Sequence, residues 1–184
     1  AAIAHDLSGA IDSGTFVIDT NGKAMGGAGA PAFASNWTDA PAANGLVGLE
    51  MFRGRAPEKR GEVVFDAVTA QRSGYSIGDT VRVIVNGDQV LEPELVGIAD
   101  FAEGGSFNGA TWLAFDTPTS QKLYLDGRDA FTDAWVTARP GVTQEQLLTE
   151  VVAALPEGYT AETGDVAAEE SASGLLQAVS FLTT

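Results

Sequence analysis

The chain has 184 residues, 45% of them hydrophobic and 19% charged, which suits one domain or two small lobes with a proper core and excludes a disordered chain. With 10 basic against 25 acidic residues the net charge is −15, so nucleic-acid phosphates and anionic lipid surfaces would be repelled. There is no cysteine, which excludes disulfides, thiolate zinc sites and thiol catalysis, and no run of 18 apolar residues long enough to span a bilayer.

In chain order, Ala1 to Ile11 places Ile3, Leu7, Ala10 and Ile11 at helical spacing, so a helix is expected there. Thr15 to Thr20 reads as a strand and Asn21-Gly22-Lys23 as a tight turn. Met25 to Ala30 is a glycine-rich loop. Pro31 to Trp37 is a second strand with Phe33 and Trp37 at alternate positions. Leu46 to Phe52 is apolar, and Arg53 to Arg60 is a polar connector carrying Arg53, Arg55, Glu58, Lys59 and Arg60.

The next stretch, Gly61 to Phe101, organises the rest. Glu62 to Phe65 is a strand rich in β-branched and aromatic residues. Asp66 is placed to cap a short helix over Ala67 to Arg72, and Gly74 to close it in the left-handed conformation. Thr80 to Val85 alternates, with Val81, Val83 and Val85 on one face. Asn86-Gly87 marks a hairpin turn, and Val90 to Ile98 returns as a strand that Pro93 confines to an edge or a bulge.

Beyond Phe101 lies a loop carrying Gly104, Gly105 and Phe107. Thr111 to Asp116 is a strand, followed by a helix over about Thr119 to Leu125 with Thr117 as cap and Pro118 at its first position. Asp133 to Arg139 is a strand. Thr143 and Gln146 form a capping box for a helix whose stripe is Leu147, Leu148, Val151, Val152 and Leu155. Tyr159 to Thr163 is expected as a strand, completing a parallel βαβ unit. Asp165 is placed to cap a last helix, with Ala168, Ala172, Leu175, Leu176 and Val179 on one face. That helix ends without glycine, proline or a basic turn, and the chain starts at Ala1 without Met, so an excised fragment is expected.

The ordered set Phe52 to Val64 (FRGRAPEKRGEVV), Gly74 to Val83 (GYSIGDTVRV), Glu94 to Ala99 (ELVGIA) and Gly109 to Leu123 (GATWLAFDTPTSQKL) resembles the extracytoplasmic, MacB-like periplasmic core domain of FtsX-like/MacB-like ABC transporter permeases of high-GC Gram-positive type. The resemblance covers roughly Phe16 to Gly164. It implies an α+β fold of two small α/β lobes. One is β-rich with short helices (Sabre-like), over about 53–130. The other is a partial ferredoxin-like βαβ lobe (porter-like), from 12–52 plus 131–164. Residues 1–11 and 165–184 would be terminal stalk helices leading to membrane segments outside the chain. By the same resemblance the domain is not an enzyme and takes no cofactor or metal. It would sit on the extracytoplasmic face of the membrane and couple to a cytoplasmic ABC ATPase subunit through the full-length permease, with a homodimer or a partner permease completing the assembly. The competing reading is a secreted module that binds a ligand or cell-wall polymer without catalysis.

No residue pattern argues for catalysis. His5 is the one histidine, and no G-x-S-x-G elbow accompanies it. Glu92/Glu94, Asp126/Asp129 and Glu169/Glu170 are paired carboxylates, with Glu92 and Glu94 expected on one exposed strand face. Gly26-Gly27-Ala28-Gly29 and Gly104-Gly105 lack the spacing of a phosphate loop. Asn36-Trp37-Thr38 matches a glycosylation sequon. Trp37, Trp112, Trp135, Phe33 and Phe115 read as core aromatics at strand spacing, and Phe107 as an exposed contact.

Overall fold

The computed structural model describes residues 3–7, 9–11, 14–26, 32–39, 49–101 and 110–167. The chain divides into two compact units: one of residues 5–42 and 47–135, the other of residues 1–4, 43–46 and 136–184. The fold is α+β.

The larger unit is built on two sheets. Strands β2 (Gly9–Ile11), β5 (Ala32–Asn36), β6 (Leu49–Gly54), β7 (Glu62–Asp66), β10 (Glu94–Phe101) and β11 (Thr111–Phe115) form a mixed sheet of order β2-β5-β11-β7-β10-β6. Strands β3 (Phe16–Ile18), β4 (Ala24–Met25), β8 (Arg82–Val85) and β9 (Gln89–Leu91) form an antiparallel sheet of order β4-β3-β8-β9. A separate two-stranded sheet pairs β1 (Ile3–Leu7) with β12 (Asp133–Thr137). The helix expected over residues 1–11 is therefore not formed at Ile3–Leu7 and Gly9–Ile11. There β2 pairs with β5, so a long-range ladder overrides the local spacing.

The organising stretch folds largely as its residues dictate. In β7 all five residues are buried, which suits an interior strand. Asp66 caps α1 (Ala67–Ser73) and Gly74 closes it at φ 78°. Val81, Val83 and Val85 are fully buried and Arg82 is exposed, as the alternation requires. Asn86 and Gly87 turn the hairpin with φ of 54° and 82°. Pro93 does more than mark an edge. It lies between β9 and β10, where the chain passes from one sheet to the other, and its carbonyl accepts the Val81 N–H at 2.8 Å. The two sheets share one core that gathers Val17, Val83, Phe65, Leu95, Leu113 and Phe115.

Two local expectations are corrected. The cap of α2 (Thr117–Tyr124) is Asp116 rather than Thr117, because the Asp116 carboxylate accepts the Thr119 N–H at 3.2 Å. The helical residues 164–167 are capped by Thr163, whose Oγ1 accepts the Val166 N–H at 3.4 Å, rather than by Asp165.

The expected lobe grouping also differs from the observed pairing. β3 joins β4 and β8, and β5 and β6 lie beside β11 and β10, so β3, β4, β5 and β6 are bonded into the β-rich unit. In the smaller unit α3 (Gln144–Ala154) carries the full Thr143/Gln146 capping box. Residues 159–163 form no strand and Tyr159 is 69% exposed, so the βαβ unit expected there is not formed. The observed parallel pairs are β7 with β10, separated in sequence by α1 and the β8–β9 hairpin, and β5 with β11. Among the described residues no helix is long and apolar enough to cross a membrane.

Candidate functional site

Glu62 opens a wholly buried strand, and a buried carboxylate needs a partner. Arg55 supplies it with a two-pronged contact, Nη2 to Oε1 at 2.6 Å and Nη1 to Oε2 at 2.8 Å. The Glu58 N–H donates to Oε2 at 2.9 Å, and Lys59 Nζ lies 3.7 Å from Oε1. The hydrogen bonds from Arg55 outweigh burial and hold the Glu62 carboxyl down at about 2 from its ordinary 4.5, while the same bonds raise the Arg55 guanidinium above its usual value. Arg55 also donates its backbone N–H to the Val96 carbonyl at 3.1 Å. The polar connector is thus clasped to β7 through a side chain and to β10 through its backbone.

Asp66 is a second buried carboxylate. It accepts the N–H groups of Val68, Thr69 and Trp112 at 3.2, 3.3 and 3.2 Å, and so ties α1 to β11. Burial pushes its pKa above the ordinary carboxylate value, against those hydrogen bonds. Asp66→Ala removes both cap and tie and should cost about 2 kcal/mol in urea unfolding, while Asp66→Asn, which retains a capping oxygen, should cost clearly less.

Among the described residues of this unit, two grooves stand out. One, of about 590 Å³, runs past Leu91, Glu92, Pro93, Asp116, Pro118 and Lys122. The other, of about 550 Å³, is lined by Phe52, Arg53, Ala70, Tyr75, Ile77 and Ile98 beside edge strand β6. Along β6 the register to β10 shifts so that Arg53 faces Ile98 and Met51 faces Ala99, which leaves Phe52 as the extra residue of a β-bulge. Phe52 is 58% exposed, with the Arg53 guanidinium 5.0 Å from its ring centre. Sequence reading placed Phe52 in an apolar run. The bulge that turns it outward had no local signal.

The structure scatters the sequence-derived candidates. His5 lies in β1. Glu92 and Glu94 are both exposed, but they flank Pro93, and Glu94 begins the interior strand β10, so they do not share a strand face. Asp129 accepts the Gln121 amide at 3.3 Å, and Asp126 sits in the turn after α2 at φ 56°. Gly26 is structural: a Cβ there would meet the Ala32 Cβ at 2.8 Å. Trp112 and Phe115 are core; Phe33 and Trp37 pack at its margin, with Trp37 and Trp112 rings 6.4 Å apart. Trp135 lies in β12. Phe107, Gly104, Gly105, Gly27, Gly29, Glu169 and Glu170 lie outside the described residues. Among the described residues no three His, Asp or Glu side chains gather as a metal site.

Asn36 is 3% exposed, and its amide donates to the Thr117 hydroxyl at 3.2 Å. The sequon is therefore inaccessible in the folded chain, and mass spectrometry of material from a glycosylating host should find no glycan at Asn36.

No family model and no curated protein matches the chain. Among solved structures, a domain of a candidate permease protein from Porphyromonas gingivalis superposes with a TM-score of 0.51 at 16% identity, covering 84% of this chain and 70% of that one. The chain shares the fold of that domain. The periplasmic region of MacB from Actinobacillus actinomycetemcomitans matches with a TM-score of 0.48 at 14% identity, over 82% of this chain and 65% of that region, so this chain spans less than two thirds of it.

Proposed function

We propose that the chain is the non-catalytic extracytoplasmic domain of an ABC transporter permease of the MacB-like or FtsX-like type. In this reading ATP is hydrolysed by a cytoplasmic partner, and motion reaches this domain through membrane helices of the full-length protein. The fold match over 84% of the chain carries the reading. The order of motifs from Phe52 to Leu123 supports it. The clasped larger unit also fits, because a part that transmits movement must not absorb it by local unfolding.

These 184 residues contain no cysteine, so the domain itself offers no competing thiol in a topology test. Asp88 follows the hairpin turn and is exposed. A single cysteine introduced there, Asp88→Cys, in the full-length protein should react with a membrane-impermeant maleimide in intact cells. Reaction only after lysis would place the domain on the wrong side of the membrane and remove the reading.

A further inference from the structure

We propose that the groove beside the bulged edge strand β6 docks an acidic segment of a partner protein, anchored by a large apolar side chain. Three observations converge on it. Phe52 and Ile77 are among the exposed large hydrophobic side chains, at 58% and 41%, and both line the same 550 Å³ groove. A bulge that turns an aromatic outward at a sheet edge serves to re-aim a side chain. Its geometry is locked: a Cβ at Gly54 would strike the Val96 carbonyl oxygen and lie 2.9 Å from both the Gly97 Cα and the Ile77 Cδ1.

Charge sets the sign of the occupant. The chain carries −15, yet among the described residues Arg53 is the one charged side chain lining this groove. An acidic segment is repelled by the surface at large and accepted at Arg53, which selects both site and register. The edge favours a polypeptide over an anionic lipid. Among the described residues β6 pairs with β10 and with no strand on its other side, so it presents backbone groups that an added strand of a partner chain can pair. Phenylalanine, tyrosine, arginine and isoleucine around one pocket also form a protein-binding composition. The inference goes beyond the permease reading and does not depend on it.

The test is selection of displayed random 12-residue peptides on the immobilised 184-residue chain, with laurate titrated by backbone-amide NMR as the lipid arm. Enriched peptides should set Asp or Glu beside Leu, Ile or Phe, and should bind Phe52→Ala at least tenfold more weakly. Arg53→Glu should turn the preference to Lys and Arg, a readout that simple loss of folding cannot mimic. No enrichment, or enriched peptides indifferent to both variants, would overturn the proposal. So would saturable laurate shifts at Phe52 and Ile77 without peptide enrichment.

Discussion

Glu62→Gln is expected to lower the stability of the larger unit by about 2–3 kcal/mol, or roughly 6–12 °C in Tm. The change keeps the shape of the side chain and removes its charge. Breaking a fully buried pair costs more, but Arg55 is half exposed and retains water when released, which reduces the loss. The pH dependence follows from the same contact. With its folded value near 2 against an ordinary 4.5, Glu62 contributes stability that is complete above about pH 4.5 and is lost as the pH falls through 2. Asp66 acts oppositely in acid, because its raised value makes protonation favour the fold. The diagnostic is therefore the difference between wild type and Glu62→Gln, measured by urea unfolding. It should be constant from pH 5 to pH 7 and shrink between pH 4.5 and pH 2. A difference independent of pH would show that the clasp is not ionic.

The second large effect lies on the other side of the same arginine. Gly97→Ala should destabilise by about 3 kcal/mol, although it adds one methyl group. A Cβ at Gly97 would run into the Arg55 carbonyl oxygen, sit 2.8 Å from the Met51 sulfur and lie 3.1 Å from Val64. The sulfur can swing away; the carbonyl belongs to backbone already bonded to Val96. Relief therefore requires β6 to part from β10. Amide exchange should show β6 and β10 losing protection in Gly97→Ala while β8 and β9 keep theirs. Gly61→Ala provides the contrast: no atom lies within 4 Å of its Cβ position, and its cost arises only from its φ of 89°.

These two residues show what sequence discloses. Asp66, Gly74, Asn86-Gly87 and the Thr143/Gln146 box were legible because capping and turn chemistry act within a few residues. The valines of β8 were legible because period two needs no partner to be seen. Pairings made at long range were not. The parallel ladder of β5 with β11 joins residues 79 positions apart at its first register pair, Ala32 with Thr111. Helical spacing in the first eleven residues was local truth overridden by such ladders. Tyr159 to Thr163 had strand-like residues and form no strand.

The candidate site divides the same way. A Glu at the head of a continuously apolar run was a visible signal, since a buried carboxylate demands a cation, but nothing in the spacing singled out Arg55 over Arg53, Lys59 or Arg60. Phe52 was read as part of an apolar run. Its exposure depends on a register shift against Ile98 and Ala99 that only the paired strand reveals. The fold comparison could not supply it either, because a likeness at 16% identity conveys the path of the backbone and not its side chains.

The proposed role, a passive and unyielding part driven from across the membrane, makes one demand that can be measured directly. Spin labels at Gln71 and Asp88 span α1 and the β8–β9 hairpin within the larger unit. In the full-length permease with its ATPase, the distance between them should be unchanged between nucleotide-free and ATP-bound states, while the distance from Asp88 to a label at the bilayer surface should change. A shift in the first distance, or no shift in the second, would contradict it.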